Sequence, residues 1–254
     1  MKLIFAIPSY DRADRQLFLA YLKRLGYTRD SIYISTQCER DRDAYTALYG
    51  AAAHVIYRPG SNVCDNKNTL ADALSDSGAH VVFVSDKVKG VQHLAKGGKV
   101  VRTIETRELL ERFIAYGYAM AERNRCQVWG VYPTNNAYFM EQSASVDKML
   151  LGCFMGFRPG FRLRFDPAFP LKEDFELSLR VIRDGGHTLR FNNICLDATF
   201  HTKGGCHAMW NSEGDKVNAA CCRRMLAKYG DLVAPHATRR NELRYTGKSR
   251  NIKL

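Results

Sequence analysis

Ala79-His-Val-Val-Phe-Val-Ser-Asp86 is a short, strongly apolar run that ends in a hydroxyl and a carboxylate. Apolar residues in succession at strand length predict a strand buried on both faces, as in the middle of a parallel sheet. Its polar exit then stands at the carboxyl end of the strand, where open α/β sheets bind their ligands. Reading backwards, Asn66 to Leu74 carries a helical pattern, and His54 to Tyr57 reads as a strand followed by the turn Arg58-Pro-Gly60. Tyr45 to Ala53 reads as a short helix and Ser31 to Ser35 as an alternating strand. Arg15 to Leu25 is helical in period and is stopped by Gly26, and residues 3 to 7 form a buried strand that ends at Pro8-Ser9. Strand, helix, strand, helix, strand in this rhythm predicts an α/β fold with a parallel sheet and right-handed crossovers.

Reading forwards, residues 105 to 124 are the longest helical candidate, with acidic residues early and Arg123 and Arg125 late, as the helix dipole favours. Val128 to Tyr132 reads as a strand, and Leu150 to Arg158 as one strand or two short ones. A helix runs from about Lys172 to Ile182 and closes at Asp184-Gly-Gly186. Thr188 to Asn192 and Cys195 to Phe200 are short strand candidates, Ala219 to Tyr229 a basic helix, and the remainder a basic tail.

The charge is one-sided. Nine Lys or Arg residues follow from Arg223 onwards against only Asp231 and Glu242, in a chain of formal charge +12. A solvated face is the plain reading, and contact with nucleic-acid phosphates the functional one, with no sequence specificity of its own. A length of 254 residues at 46 % hydrophobic fits one α/β domain with an appendage and argues against a disordered or fibrous chain. The opening Met1 to Pro8 is too poor in apolar residues for a signal peptide, and no stretch approaches a membrane span, so a cytoplasmic protein without a membrane partner is expected. Eight cysteines without a regular framework read as reduced thiols. Cys206, Cys221 and Cys222 with His201 or His207 match no usual zinc spacing.

Several groups have the chemistry of a site. Asp86 at a strand exit caps a turn or holds a divalent ion that bridges two phosphates, and Lys87 and Lys89 bind phosphate directly or compete for Asp86. Glu173 and Asp174 open a helix, where carboxylates are stabilised by free amides; either caps it, or one deprotonates an acceptor hydroxyl. Adjacent residues at a helix start point in different directions, so at most one faces the acceptor. His201 can complete an oxygen-rich metal site, with Lys203 adding positive charge and Gly204-Gly205 letting backbone approach a pyrophosphate. Pro8, Ser9, Arg12 and Arg15 leave the first strand with groups suited to a nucleoside diphosphate, and Asn66-Lys67-Asn68 is a similar candidate. Asn135, Asn136 and Tyr138 offer amides and a stacking ring to an acceptor. Neither GxGxxG after the first strand nor GxxxxGK[ST] is present, which weakens the dinucleotide and P-loop readings.

The pieces FAIPSYDR (5–12), VVFVSDKV (81–88), PLKEDFELSLR (170–180) and FHTKGG (200–205), in this order and spacing, resemble a GT-A glycosyltransferase. More narrowly they resemble the phage TET-associated DNA glycosyltransferases. The resemblance implies a GT-A, Rossmann-like, mostly parallel central sheet with flanking helices over residues 1–210, and a basic helical extension over 211–254. It implies transfer of a sugar from a UDP-sugar to the hydroxyl of a hydroxymethylated pyrimidine in DNA, such as 5-hydroxymethylcytosine, in the phage-infected bacterial cytoplasm. Pro8, Ser9 and Arg12 would line the nucleotide pocket, and Asp86 and His201 would ligate manganese or magnesium. Asp174, with Glu173 beside it, would be the base of an inverting enzyme. The chain departs from the family at Ser85-Asp86-Lys87-Val88, where the usual motif offers two or three acidic residues; Asp86 can still bind a hydrated ion with His201 and both phosphates, and a weakly bound metal or its partial replacement by Lys87 is the alternative. A transferase with a protein, glycan or lipid acceptor, another nucleotide-dependent transferase, and a non-catalytic DNA-binding protein on the same fold remain open.

Overall fold

The computed structural model describes residues 1–198 and 206–254. In chain order its elements are β1 (Leu3–Pro8), α1 (Leu17–Arg24), β2 (Ile32–Thr36), α2 (Glu39–Tyr49), β3 (His54–Tyr57), α3 (Val63–Leu74), β4 (His80–Val84), β5 (Val88–Leu94), β6 (Val101–Thr103) and α4 (Arg107–Arg123). They continue with β7 (Cys126–Val131), β8 (Ser143–Val146), β9 (Phe154–Phe157), α5 (Glu173–Arg183), β10 (His187–Phe191), β11 (Ile194–Ala198), α6 (Cys206–Tyr229), β12 (Val233–Pro235), β13 (Leu243–Tyr245) and β14 (Arg250–Lys253).

The main sheet has the order β14-β8-β10-β7-β9-β4-β1-β2-β3. β4, β1, β2 and β3 are mutually parallel, as the strand–helix rhythm predicts. β1 is buried on both faces. Phe5 and Ile7 join the core that holds α1 and α4, while Ile4 and Ala6 join the core that holds α3 and α5. The helices begin where capping residues allow: the Asn62 side chain accepts from the amide of Cys64 at 2.9 Å to start α3, and Thr106 accepts from that of Leu109 at 3.3 Å to start α4.

The other half of the sheet departs from the expected parallel arrangement. β7 and β10 are parallel, but β9 lies antiparallel between β4 and β7, β8 is antiparallel to β10, and β14 to β8. The sheet is therefore mixed. The reversal comes after β7, because no α-helix separates β7 from β8 to carry a parallel crossover, and β8 and β9 both run against β7. Two further differences concern helices. α2 begins at Glu39, well before the expected Tyr45, because its polar first turns bury only Asp41 and leave a weak apolar period. α6 begins at Cys206 and not near Ala219. The basic C-terminal stretch is structured, with α6 packed on α5 through Met225, Tyr229 and Leu179, and β14 forming the edge of the main sheet.

β5, β6 and β11 form a separate sheet of order β11-β5-β6. β5 starts just after the exit of β4, where the amide of Val88 donates to the carbonyl of Ser85 at 3.2 Å. It ends beside the exits of β7 and β10, where Leu94 donates to Asn193 at 2.7 Å and Tyr132 to Ile194 at 2.8 Å. Because β7 runs antiparallel to β9, and β9 to β4, the exits of β1, β4, β7 and β10 share one edge. The small sheet runs along that edge as a fence.

Trp129 of β7 is fully buried, with the rings of Phe113, Tyr118, Phe154 and Phe191 at 5.3 to 5.8 Å. Its indole fits only because Gly156 on β9 and Gly117 on α4 lack side chains; a Cβ at Gly117 would lie 2.8 Å from the ring, and one at Gly156 would overlap the indole nitrogen. Gly156→Ala is expected to cost about 1–3 kcal/mol or more by overpacking. A urea midpoint that does not move would refute this account of the notch.

Candidate active site

Asp86 leaves β4 almost without solvent exposure, with 4 % of its surface accessible. Its Oδ2 accepts from Ser9 Oγ at 2.5 Å and lies 3.1 Å from Nε of the buried Arg12 guanidinium. The Ser9 hydrogen is thus committed to Asp86, so at the 2.6 Å contact with Tyr45 the phenol must donate to Ser9. The Tyr45 oxygen in turn accepts from the amide of Arg12 at 3.2 Å and from Gln16 Nε2 at 3.3 Å. Burial pushes the Tyr45 phenol upward, which keeps it a neutral donor. The backbone carbonyl of Asp86 meanwhile accepts from the amides of Leu17 and Phe18 at 3.0 and 3.3 Å. Asp86 therefore fixes both the β1–α1 loop and the start of α1. Burial raises its own carboxyl above the usual range, and the Arg12 charge opposes that rise.

The second cluster lies at the start of α5. Glu173 turns inward, where its Oε1 accepts from Lys67 Nζ at 2.7 Å with both side chains buried. Burial pushes Glu173 up and Lys67 pulls it down. Lys67 also lies 4.7 Å from the centroid of the Phe165 ring. Asp174 turns the other way and is half-buried. Its Oδ2 accepts from the amide of Gly152 at 2.6 Å and its Oδ1 from that of Phe175 at 2.7 Å. Two amides thus fix the carboxylate plane while each oxygen retains further acceptor capacity.

A short bridge joins the clusters. The carbonyl of Cys153, next to Gly152, accepts from the amide of Ser85 at 3.0 Å, and Ser85 precedes Asp86. The Cys153 thiol is pushed up to about 12 by desolvation first and then by the Asp174 charge, and Lys67 and Lys87 are close enough to oppose this. Gly152 is required at the junction. A Cβ there would lie 2.7 Å from Lys67 Nζ and 3.1 Å from the Cβ of Asp174.

Of the residues singled out in the sequence, the structure brings Ser9, Arg12, Lys67, Asp86, Glu173 and Asp174 to the carboxyl edge of β1 and β4. Pro8 ends β1 there, half-buried, whereas Arg15 turns to its exposed neighbour Asp14 at 3.1 Å. His201 and Lys203 lie outside the described residues. Arg12 and Lys67, expected as phosphate contacts, are instead partners of carboxylates. The contributions of Tyr45, Gln16 and Gly152 were missed; for Gly152 the usable signal was a glycine just before an apolar strand, which marks close backbone approach. Among the described residues no three His, Cys, Asp or Glu side chains cluster to hold an ion. Asp86, the carboxylate expected to bind a metal, carries a guanidinium on Oδ2, and the second expected ligand, His201, lies outside the described residues.

No family model matches the chain, and no curated protein matches it. Solved structures do match. One, from Desulfovibrio desulfuricans G20 and provisionally assigned as a nucleotide-diphospho-sugar transferase, is 9 % identical over 87 % of this chain and 99 % of its own, with a TM-score of 0.43.

The Lys67–Glu173 pair makes a stability prediction. Lys67→Met strands a buried carboxylate and should cost about 3–5 kcal/mol, whereas Lys67→Met with Glu173→Leu should recover most of it. Urea unfolding of both variants checks this; a double variant as unstable as the single one would show that the pair is not the source.

Proposed function

We propose that this chain is a nucleotide-sugar-dependent transferase that moves a sugar from a UDP-sugar to the hydroxyl of a hydroxymethylated pyrimidine in DNA. The observation that carries the reading is the meeting of three widely separated segments, 5–12, 81–88 and 170–180, at one sheet edge through Ser9–Asp86 and the Ser85–Cys153–Gly152–Asp174 bridge. Ligands of open α/β sheets occupy that edge.

Asp174 takes the proton of the acceptor hydroxyl. The freed oxygen attacks the anomeric carbon, and the bond from that carbon to the diphosphate breaks with its electron pair leaving on the diphosphate, which inverts the centre. Glu173 does not share the role of base, because it is committed to Lys67. Asp86 and Arg12 hold the β1–α1 loop against the nucleotide, and Lys87 supplies positive charge beside the departing diphosphate. No step is assigned to a metal.

The choice of DNA rests on charge near the site. Lys172, next to Glu173, pairs with Glu242 at 3.0 Å and so holds the loop between β12 and β13 beside the start of α5. Arg239 and Arg240 on that loop, with Arg244 and Lys248 beyond it, are exposed and pair with no carboxylate among the described residues. Phosphates match such groups. Among the described residues no helix is long and apolar enough to cross a membrane.

Incubation with hydroxymethylated and unmodified DNA and a nucleotide-sugar panel, followed by intact-mass analysis of nucleosides, tests the proposal. Mass gain only on the hydroxymethylated base is expected, lost in Asp174→Asn at unchanged donor affinity. Wild-type transfer by Asp174→Asn would remove the base assignment, and DNA binding without any donor turnover would favour a non-catalytic DNA-binding protein. Transfer in EDTA agrees with Arg12 standing where a cation would; strict dependence on added manganese would show that the Arg12–Asp86 pair opens.

A further inference from the structure

The loop between β7 and β10's neighbour β8 leaves the same edge as the site and carries Tyr138 and Phe139 at its tip, in a 3-10 turn at Ala137–Phe139. Tyr138 is 85 % exposed and Phe139 60 %, with ring centroids 5.0 Å apart at 89°. Single exposed aromatics need no explanation, but two adjacent rings on a firmly seated tip are unusual.

The seating is specific. Tyr132 at the loop's start donates to the carbonyl of Ile194 at 2.8 Å, and Glu141 at its end donates to that of Asn192 at 3.2 Å. Met140 is buried against Leu94 and Cys195, and the Asn136 side chain accepts from the amide of Tyr138 at 3.1 Å. The rings are thus held out in water by a rigid base. Gln142 ties this loop to the β5–β6 hairpin, donating to the carbonyl of Leu94 at 3.0 Å. The hairpin tip reads Ala95-Lys-Gly-Gly-Lys-Val100, with Gly97 and Gly98 at φ +98° and +73° and with Lys96 and Lys99 exposed. Neither lysine pairs with a carboxylate among the described residues, and the nearby Glu141 turns to Ser143 Oγ at 3.2 Å.

Two rings and two ammonium groups on adjoining tips fit the two parts of a nucleic acid: bases to stack on, phosphates to neutralise. A hydroxyl on a base inside a duplex is poorly placed for a reaction at the floor of a crevice, and enzymes that work on bases take them out of the stack. We infer that Tyr138 and Phe139 form a wedge that enters the base stack of duplex DNA beside the target nucleotide, while Lys96 and Lys99 grip the flanking phosphates. This rests on DNA as the acceptor and adds how a paired base is reached.

Transfer by wild type and by Tyr138→Ala/Phe139→Ala is compared on hydroxymethylated duplex and on the same strand unpaired. Unmodified duplex carrying 2-aminopurine next to the target position reports unstacking, whether or not transfer occurs. Both rings are exposed, so the variant should melt as wild type does. A loss of about tenfold or more on duplex, with little on single strands, is expected, together with loss of the 2-aminopurine signal. Lys96→Ala/Lys99→Ala should weaken duplex binding and lower the salt slope by about 2. Equal losses on duplex and single strand, no loss, or a wild-type 2-aminopurine signal that does not rise would overturn the wedge. If wild type unstacks duplex but transfers no sugar, the proposed transferase activity fails and the wedge stands.

Discussion

Arg12 and Asp86 meet at 3.1 Å with side-chain exposures of 2 % and 6 %, and the placing of the β1–α1 loop at the exit of β4 follows from that contact. Taking two charges out of water costs several kcal/mol each, and the pair recovers this only with good hydrogen bonding around it. Ser9 supplies one such bond to Asp86, and Gln16 and Tyr45 hold Ser9 and the backbone of Arg12 in place around it. Such a network stabilises modestly, but it specifies one conformation, because a displaced member leaves the others buried and unpartnered. The β1–α1 loop is consequently held in one place relative to the exit of β4.

The second buried pair, Lys67–Glu173, performs the corresponding task at the start of α5. It ties α3 to the first turn of α5. Successive residues of a helix are turned by about 100°, so Glu173 facing inward puts Asp174 toward Gly152. The bare backbone of Gly152 then supplies an amide that a side chain at this position would obstruct. The inward carboxylate is the reason the outward one is held.

The sequence made much of this legible where apolar runs were long and unambiguous. β1, β4 and the α5 start are read from runs whose period leaves little choice, and their exits gave Ser9, Asp86 and Asp174. β9 was less legible: Phe154–Phe157 is a short strand whose apolar run does not reveal its direction, and antiparallel insertion of this strand makes the sheet mixed. Charge roles were legible in sign and not in partner. Arg12 and Lys67 read as cations near phosphates, but whether a cation meets a ligand or a carboxylate depends on contacts across 77 and 106 residues of chain for the Ser9–Asp86 and Lys67–Glu173 bonds that enclose them. The pairs had no local signal. Tyr138 was visible as a ring after a strand; its seating was not, since Met140, Leu94 and Cys195 come together only in the fold.

The distribution of paired and unpaired cations bears on the proposed acceptor. At the exits of β1 and β4 and the start of α5, Arg12, Lys67 and Lys172 are each matched to a carboxylate, at 3.1, 2.7 and 3.0 Å. In the β5–β6 and β12–β13 loops, Lys96, Lys99, Arg239 and Arg240 are exposed, without such partners among the described residues. A formal charge of +12 spread evenly would attract any anion without orienting it. On the proposed function, this division would suit an extended polyanion as acceptor, while Lys87 would meet the charge of the small donor. If the proposed transfer holds, a long acceptor and a small donor would occupy different parts of one edge.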